Sequence, residues 1–209
     1  STGSIGQYMA NELKSSNTDF QVLGTRMEQS HQLMQELEKI PKGGSITFVI
    51  LAAMVPVSDC EANPELAFDI NVHGTLSIVR IFIDWAQSYF ENIRIIYVST
   101  SHVYGSNPSA EFITEQYPTN PTSVYARSKR EAEERLQLLC NKTRTGLLIA
   151  RVFSVVAPLQ PSTFMLQGII RRVFTGELLH IPGLNSIRDF LDSRDICKAL
   201  IKLSLLPQD

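Results

Sequence analysis

Ile93-Arg-Ile-Ile-Tyr-Val-Ser-Thr-Ser-His-Val-Tyr-Gly105 is the stretch from which the fold is read. It begins as a nearly unbroken apolar run and ends in small hydroxyl residues. A strand covered on both faces reads this way, without polar alternation. Ser45–Ala53 (SITFVILAA) and Gly146–Val152 (GLLIARV) have the same character, and Thr18–Thr25 (TDFQVLGT) reads as a shorter buried strand. Helical spacing fills the gaps. His31–Ile40 carries Leu33, Leu37 and Ile40 on one side, Asn63–Phe90 is helical with a break near Asn71–Gly74, and Thr122–Asn141 is a long helix. Strand–helix alternation of this kind predicts an α/β fold: a doubly wound parallel sheet with helices on both faces.

Composition bounds the function. The chain has 209 residues, 19 of them basic and 21 acidic, for a net charge of −2. Hydrophobic residues are 44% and charged residues 19%, which suits a globular domain and argues against a disordered tail. No basic excess points to nucleic acid. No run of about 18 apolar residues predicts a membrane span. Cys60, Cys140 and Cys197 are too few and too far apart for a disulfide framework or a metal site, and they read as reduced thiols in a cytoplasmic protein. His31, His73, His102 and His180 do not cluster, so no metal is expected. After Pro158 the alternation weakens. Residues 1–157 are therefore read as the main domain and 158–209 as part of a smaller, interleaved lobe.

The chain opens Ser-Thr-Gly-Ser-Ile-Gly, with Gly3 and Gly6 just before an amphipathic helix carrying Ile5, Met9 and Leu13. This is the pattern of the second half of a glycine-rich dinucleotide loop, in which backbone and helix N-terminus receive a pyrophosphate. The strand and first glycine expected before it are not in the sequence, and a plain turn before a helix is the alternative. After the second strand stands Arg26, with no acid before Glu28. An arginine there favours a ribose 2′-phosphate, hence NADP(H) over NAD(H); a solvated loop arginine is the other reading.

The sharpest pattern is Tyr125-Ala-Arg-Ser-Lys129 near the start of the long helix. Residues four apart share a helix face. A nearby ammonium stabilises a phenolate, so Lys129 is expected to lower the Tyr125 pKa and fit it for proton transfer at a carbonyl or hydroxyl oxygen. Ser99, Thr100 and Ser101, at the C-terminal end of a strand, lie where such sheets bind ligands, and a hydroxyl there could hydrogen-bond the same oxygen.

With these pieces assembled, the chain resembles the extended short-chain dehydrogenase/reductases that act on nucleotide sugars, a family with a Rossmann-like dinucleotide-binding domain. The matching stretches, in order, are Gly3–Gly6, Leu51-Ala52-Ala53, Asn63-Pro64, Asn71–Thr75, Val98–Gly105, Thr114-Glu115, Pro118, Pro121, Tyr125–Lys129 with Glu133, Ala150–Phe153, and Arg188-Asp189-Phe190 with Asp192 and Asp195. The resemblance implies Thr100, Tyr125, Lys129 and Asn71 as the catalytic set. It implies Gly3, Ser4, Ile5, Gly6, Arg26, Leu51, Ala52, Ala53, Tyr125 and Lys129 as the cofactor wall. Ser101, His102, Ser154 and Arg188 would face the substrate. Asn71 also reads as a helix-bending residue bonded to backbone. Arg188 would grip a diphosphate, unless a salt bridge to Asp189, Asp192 or Asp195 occupies it, while Asp189 and Asp195 would hold the loop and the next helix.

Family dehydratases carry an acidic pair directly after the hydroxyl residue. Ser101 and His102 stand there instead, which disfavours elimination of water. The segment from Leu179 to Asp195 is similar to that of the reductases of GDP-4-keto-6-deoxy-D-mannose. The expected function is NADP(H)-dependent reduction of a 4-keto nucleotide sugar. A 4-epimerase holding NAD tightly is the near alternative, and a non-catalytic dinucleotide sensor or scaffold the distant one. Departures in the short Met54–Ser58 loop, at Ser154 and at Ala157 bear on the substrate more than on the chemistry. The resemblance also implies a homodimer, with Leu76, Val79, Phe82, Ile83 and Ala86 as a candidate apolar face, unless these residues pack on the sheet.

Overall fold

The computed structural model describes residues 3–15, 19–24, 30–106, 112–158, 160–162, 164–177 and 187–206. Its centre is a parallel sheet in the order β1 (Ser45–Ile50), β2 (Asn92–Thr100), β3 (Gly146–Val152). Register pairs Ile50 with Tyr97 and Thr100 with Val152. Each of these strands matches one of the unbroken apolar runs. Leu51–Ala53 continue the first run in sequence but leave the ladder.

Side chains alternate between two packed faces. On one, Ile93, Ile95 and Tyr97 meet Leu33 and Leu37 of α2 (Ser30–Leu37), Val79, Phe82 and Ile83 of α5 (Thr75–Ala86), and Ala132 and Leu136 of α6 (Val124–Thr143). On the other, Ile96 and Val98 meet Met9 of α1 (Ser4–Ser15) and Ile196, Leu200 and Ile201 of α8 (Ser193–Ser204). The sheet is therefore wound on both sides, as the sequence predicts.

Asp19–Gly24 pairs with no strand among the described residues, against the expected strand at Thr18–Thr25. It is tied instead to α2, the Gly24 N–H donating to Glu36 Oε2 at 3.1 Å. The expected break near Asn71 takes a particular form. Between α4 (Pro64–Phe68) and α5, residues Asp69–Gly74 wind as a π-helix. The whole run Pro64–Ala86 is 23 residues long and apolar enough, by length and composition, to cross a membrane. That qualifies the expectation drawn from the sequence. Here its apolar face is used on the sheet: Val79, Ile83 and Ala86 are fully buried. Val79, Phe82, Ile83 and Ala86 are thus core residues rather than a dimer face. What α5 turns outward includes Ser77, Arg80 and Asp84, beside the partly buried Leu76 and Ile81.

Beyond the sheet, β4 (Ser154–Val156) pairs in parallel with β5 (Phe190–Asp192). Between them α7 (Met165–Thr175) buries none of its residues. The last helix does not follow α7. Its apolar stripe packs on β2 beside α1, and buried Arg94 donates to the Leu203 and Leu206 carbonyls at its end, at 3.0 and 2.7 Å. A guanidinium suits those carbonyls, which lack intrahelical donors. Residues 193–204, grouped by sequence with the second lobe, are part of the sheet's own packing. Leu200 is 2% exposed and Phe174, on α7, 85%. Leu200→Ala is expected to cost about 2–5 kcal/mol, and Phe174→Ala less than about 0.5 kcal/mol, measured by chemical denaturation.

Candidate active site

The C-terminal end of β2 delivers Thr100, which caps the 3₁₀ turn Ser101–Tyr104 by accepting from the His102 N–H at 3.2 Å. Gly105 ends that turn with φ 70°, and a Cβ there would sit 2.1 Å from the Asn120 carbonyl oxygen. Only glycine fits, and the Asn120 N–H donates back to the Val103 carbonyl at 2.9 Å. The strand end is thereby fixed against the segment leading into α6.

The start of α6 is fixed as firmly. Ser123 Oγ accepts from the Ala126 N–H at 3.1 Å, and Glu61 of α3 (Val57–Ala62) accepts from the Val124 N–H at 2.7 Å. These satisfy donors that a helix N-terminus leaves open. Tyr125 follows, then Lys129 one turn on, only 8% and 2% exposed. Burial pushes the Tyr125 pKa up to about 12, against a hydrogen bond with Thr100 that pulls it down. The expectation that Lys129 would lower it is not met. The ammonium is engaged elsewhere, donating to the Val98 carbonyl at 2.8 Å and lying 4.0 Å over the centre of the Tyr97 ring. Burial brings Lys129 itself down to about 7, with Glu133 opposing. Near neutral pH Tyr125 is a protonated phenol, hence a proton donor.

Beneath these residues lies a charge network built on Glu133 and Arg151, which the sequence reading matched to the family without giving them a role. Glu133 has no exposure. It accepts from Ser99 Oγ at 2.5 Å, from Arg130 at 3.2 Å and from Arg151 at 2.7 Å, while Arg151 also donates to the Tyr104 hydroxyl at 3.1 Å. The signal was present: an arginine inside an apolar strand calls for acceptors, which the carboxylate of Glu133 supplies to Arg151 and main-chain carbonyls supply to Arg94.

Asn71 does not reach the phenol. Its Oδ1 accepts from the Met54 N–H at 2.8 Å, and its Nδ2 donates to the Met54 carbonyl and to Ser128 Oγ at 3.1 and 3.0 Å. Ser128 Oγ donates in turn to the Tyr125 carbonyl at 2.9 Å. Asn71 is the backbone-bonded residue of the π-helical segment. It clamps the loop after β1 to α6, and so acts on Tyr125 through the helix.

One cleft of about 1930 Å³ brings together Gly3, Ile5 and Gly6 at the start of α1, Leu51, Ala52 and Ala53 after β1, the Thr100, His102, Tyr125 and Lys129 cluster, and Ser154 and Arg188. It also continues along the β1 edge. The first N–H groups of α1 have no intrahelical acceptors, and the small Ala52 and Ala53 line the same cleft, so these residues fit a dinucleotide with its pyrophosphate at α1. Arg26 lies outside the described residues, as does the Ser4 side chain. Ser101 is not part of the cleft wall. His102 stands edge-on to Tyr125, ring centres 5.9 Å apart, its pKa lowered by desolvation and by the Arg188 guanidinium. The Ser154 N–H donates to the Asp189 carbonyl at 3.1 Å, which holds the Arg188 segment at the cleft. Among the described residues no ion pair engages Arg188. The aspartate that holds the start of α8 is Asp192, accepting from the Arg194 N–H at 2.8 Å, rather than Asp189 or Asp195.

A sheet wound on both faces, with a tyrosine–lysine helix at its carboxyl edge, has counterparts among known proteins. The chain belongs to the NAD dependent epimerase/dehydratase family, whose model it matches over residues 1–208. It is 26% identical over 160 residues to GDP-6-deoxy-D-mannose reductase of Pseudomonas aeruginosa, covering 73% of this chain and 51% of the relative. Its fold is shared with RMD from Pseudomonas aeruginosa complexed with NADPH, at TM-score 0.82 and 24% identity over 97% of this chain and 69% of that one. It is shared too with the UDP-glucose 4-epimerase of Thermus thermophilus in complex with NAD, at TM-score 0.83 and 18% identity over 99% and 73%. The chain spans about half the length of curated relatives it matches.

The lowered Lys129 pKa carries a sign. The unfolded chain binds a proton at Lys129 more readily than the folded one, so this residue makes stability rise with pH between about 7 and 10.5. Lys129→Met is expected to flatten that rise, read as Tm against pH by calorimetry. An unchanged slope would place the buried charge elsewhere.

Proposed function

We propose that this chain carries the dinucleotide-binding and proton-transfer parts of an NADP(H)-dependent reductase of a 4-keto nucleotide sugar. The observation that carries the reading is a neutral Tyr125 phenol, hydrogen-bonded to Thr100, in one cleft with the start of α1 and with Arg188. When bound, the reduced nicotinamide supplies a hydride to a carbonyl carbon. Tyr125 then gives its proton to the oxygen, and Thr100 orients that oxygen by a hydrogen bond. Lys129 carries positive charge beside the strand end and holds the cofactor ribose. Gly3, Ser4, Ile5, Gly6, Leu51, Ala52 and Ala53 form the dinucleotide wall. Arg26 selects the 2′-phosphate of NADP(H).

Arg188 has the planar fork for a diphosphate, and no competing carboxylate pair is seen among the described residues. His102 and Ser154 line the same cleft as Arg188, and Ser101 belongs to the proposed substrate side only through its neighbours. In this reading residues 158–177 and the β4–β5 pair form the start of a substrate lobe, and α8 belongs to the dinucleotide-binding part. By the family resemblance the reading extends to a cytoplasmic homodimer, whose seam is not the apolar face of α5, since that face packs on the sheet.

Two likenesses support the choice of reaction: the relative named as a GDP-6-deoxy-D-mannose reductase and the similar fold solved with NADPH. A neutral phenol suits reduction, which consumes a proton at oxygen. The epimerase reading is supported by the equally similar fold of a UDP-glucose 4-epimerase with NAD. Cofactor exchange separates the two. The reductase should bind NADPH reversibly and prefer it to NADH, whereas a tightly held NAD that does not exchange would establish the epimerase. Tyr125→Phe should leave NADPH affinity within about twofold and lower turnover by at least about 100-fold. Undiminished turnover in that variant would refute the role of the phenol.

A further inference from the structure

Lys129 is an ammonium at 2% exposure with one hydrogen-bond acceptor among the described residues, the Val98 carbonyl. Such a charge is expensive to bury unless something replaces its water. Glu133, four residues on along α6, is a partial answer. Its carboxylate already accepts from Ser99, Arg130 and Arg151, so two guanidinium groups compete for its charge. The remaining neighbour is Tyr97 of β2. Its ring is fully buried, and the ammonium lies 4.0 Å over its centre. The Tyr97 hydroxyl has no hydrogen-bond partner among the described residues, so the residue is not held there for its polar end. What it offers the site is its π face.

We propose that Tyr97 is the aromatic seat of Lys129: the face of its ring keeps the buried ammonium charged and fixes it at the end of β2. The inference rests on the reading of Lys129 as part of the reductase site. Tyr97 is then a positioning residue, acting on the cofactor and substrate only through Lys129. A cation over an aromatic face is attracted by the ring quadrupole, most strongly where water is excluded. Without that attraction, burial would loosen the hold of Lys129 on its proton. The ionisable groups around the ammonium are Tyr125, Glu133 and Arg130 on α6, Tyr97 on β2 and, bound to Glu133, Arg151 on β3. Of these, Tyr97 is the one that can be altered electronically without changing shape or removing a charge.

The test is a titration of Lys129 in the intact protein, followed by NMR of side-chain-labelled lysine and assigned by the signal lost in Lys129→Arg. Tyr97→Leu could fail to fold, so the informative series keeps the ring. Tyr97→Phe is compared with the same substitution bearing one, two or three ring fluorines, which drain the π face at nearly constant volume. Tyr97→Phe should leave the midpoint of Lys129 within about twofold in proton affinity. Successive fluorination should weaken that affinity stepwise, to about tenfold for the trifluorinated ring. A midpoint indifferent to fluorination would overturn the proposal. The titration needs no substrate, so it is separate from the assignment of the reaction. A fluorine-dependent midpoint in a protein that reduces no nucleotide sugar would support the aromatic seat and defeat the reductase reading. In an active enzyme the pH–rate profile should move with the midpoint, and thermal stability should fall below that midpoint, where the charged form is buried, while staying nearly constant above it.

Discussion

A carboxylate with no exposure to water, Glu133, ties three elements of this protein to one point. Ser99 comes to it from β2, Arg151 from β3, and Arg130 from its own helix, α6. A buried charge is tolerated only when paired and hydrogen-bonded, so the carboxylate and Arg151 require each other. Their pairing sets how α6 lies across the carboxyl ends of the strands. Because Tyr125 and Lys129 ride on that helix, the geometry of the cleft follows from a network that reaches its wall only at Ser99.

The two residues on the helix are then tuned in opposite senses by one cause. Burial disfavours whichever form carries charge, so it holds the Tyr125 proton on and eases the Lys129 proton off. The proton inventory near neutrality is a neutral acid beside a base close to its midpoint. Thr100 moderates the first and Glu133 the second. Both moderators belong to the secondary-structure framework: Thr100 closes β2 and caps the next turn, and Glu133 locks the sheet. The site's chemistry is in this way a property of the frame as well as of the residues facing the cleft.

The three-stranded sheet was legible because buried parallel strands leave an unbroken apolar signature, and β1, β2 and β3 each carry one. Asp19–Gly24 carries it too but has no strand beside it among the described residues; composition reports the tendency to pair, not the partner. The tyrosine and lysine were legible from their spacing, since a helix turn places them on one face. Where Lys129 points was not, because the Val98 carbonyl and the Tyr97 ring come from another element some thirty residues away in sequence. Asn71 was readable as a residue that bends a helix, but its grip on Met54 and Ser128 is tertiary. Likewise α8 has an amphipathic stripe that fits either lobe, and only contact with Ile96 and Met9 decides between them.

The π-helical turn at Asp69–Gly74 has a consequence for how this family member tolerates changes in length. An α-helix advances about 100° per residue, and a π turn takes in one residue more than the α-helix would. Ala67 before the turn packs with Val124 and Tyr125, while Val79 and Ile83 after it pack on the sheet. The two faces are in phase with their separate neighbours only because of that additional residue. The turn therefore works as a vernier between the tyrosine–lysine helix and the core. Loss of a single residue within 69–74 would let the helix relax to regular winding and turn one face or the other away from its contact. A segment that reads as continuous helix thus has its length fixed to the residue, far more tightly than its composition suggests.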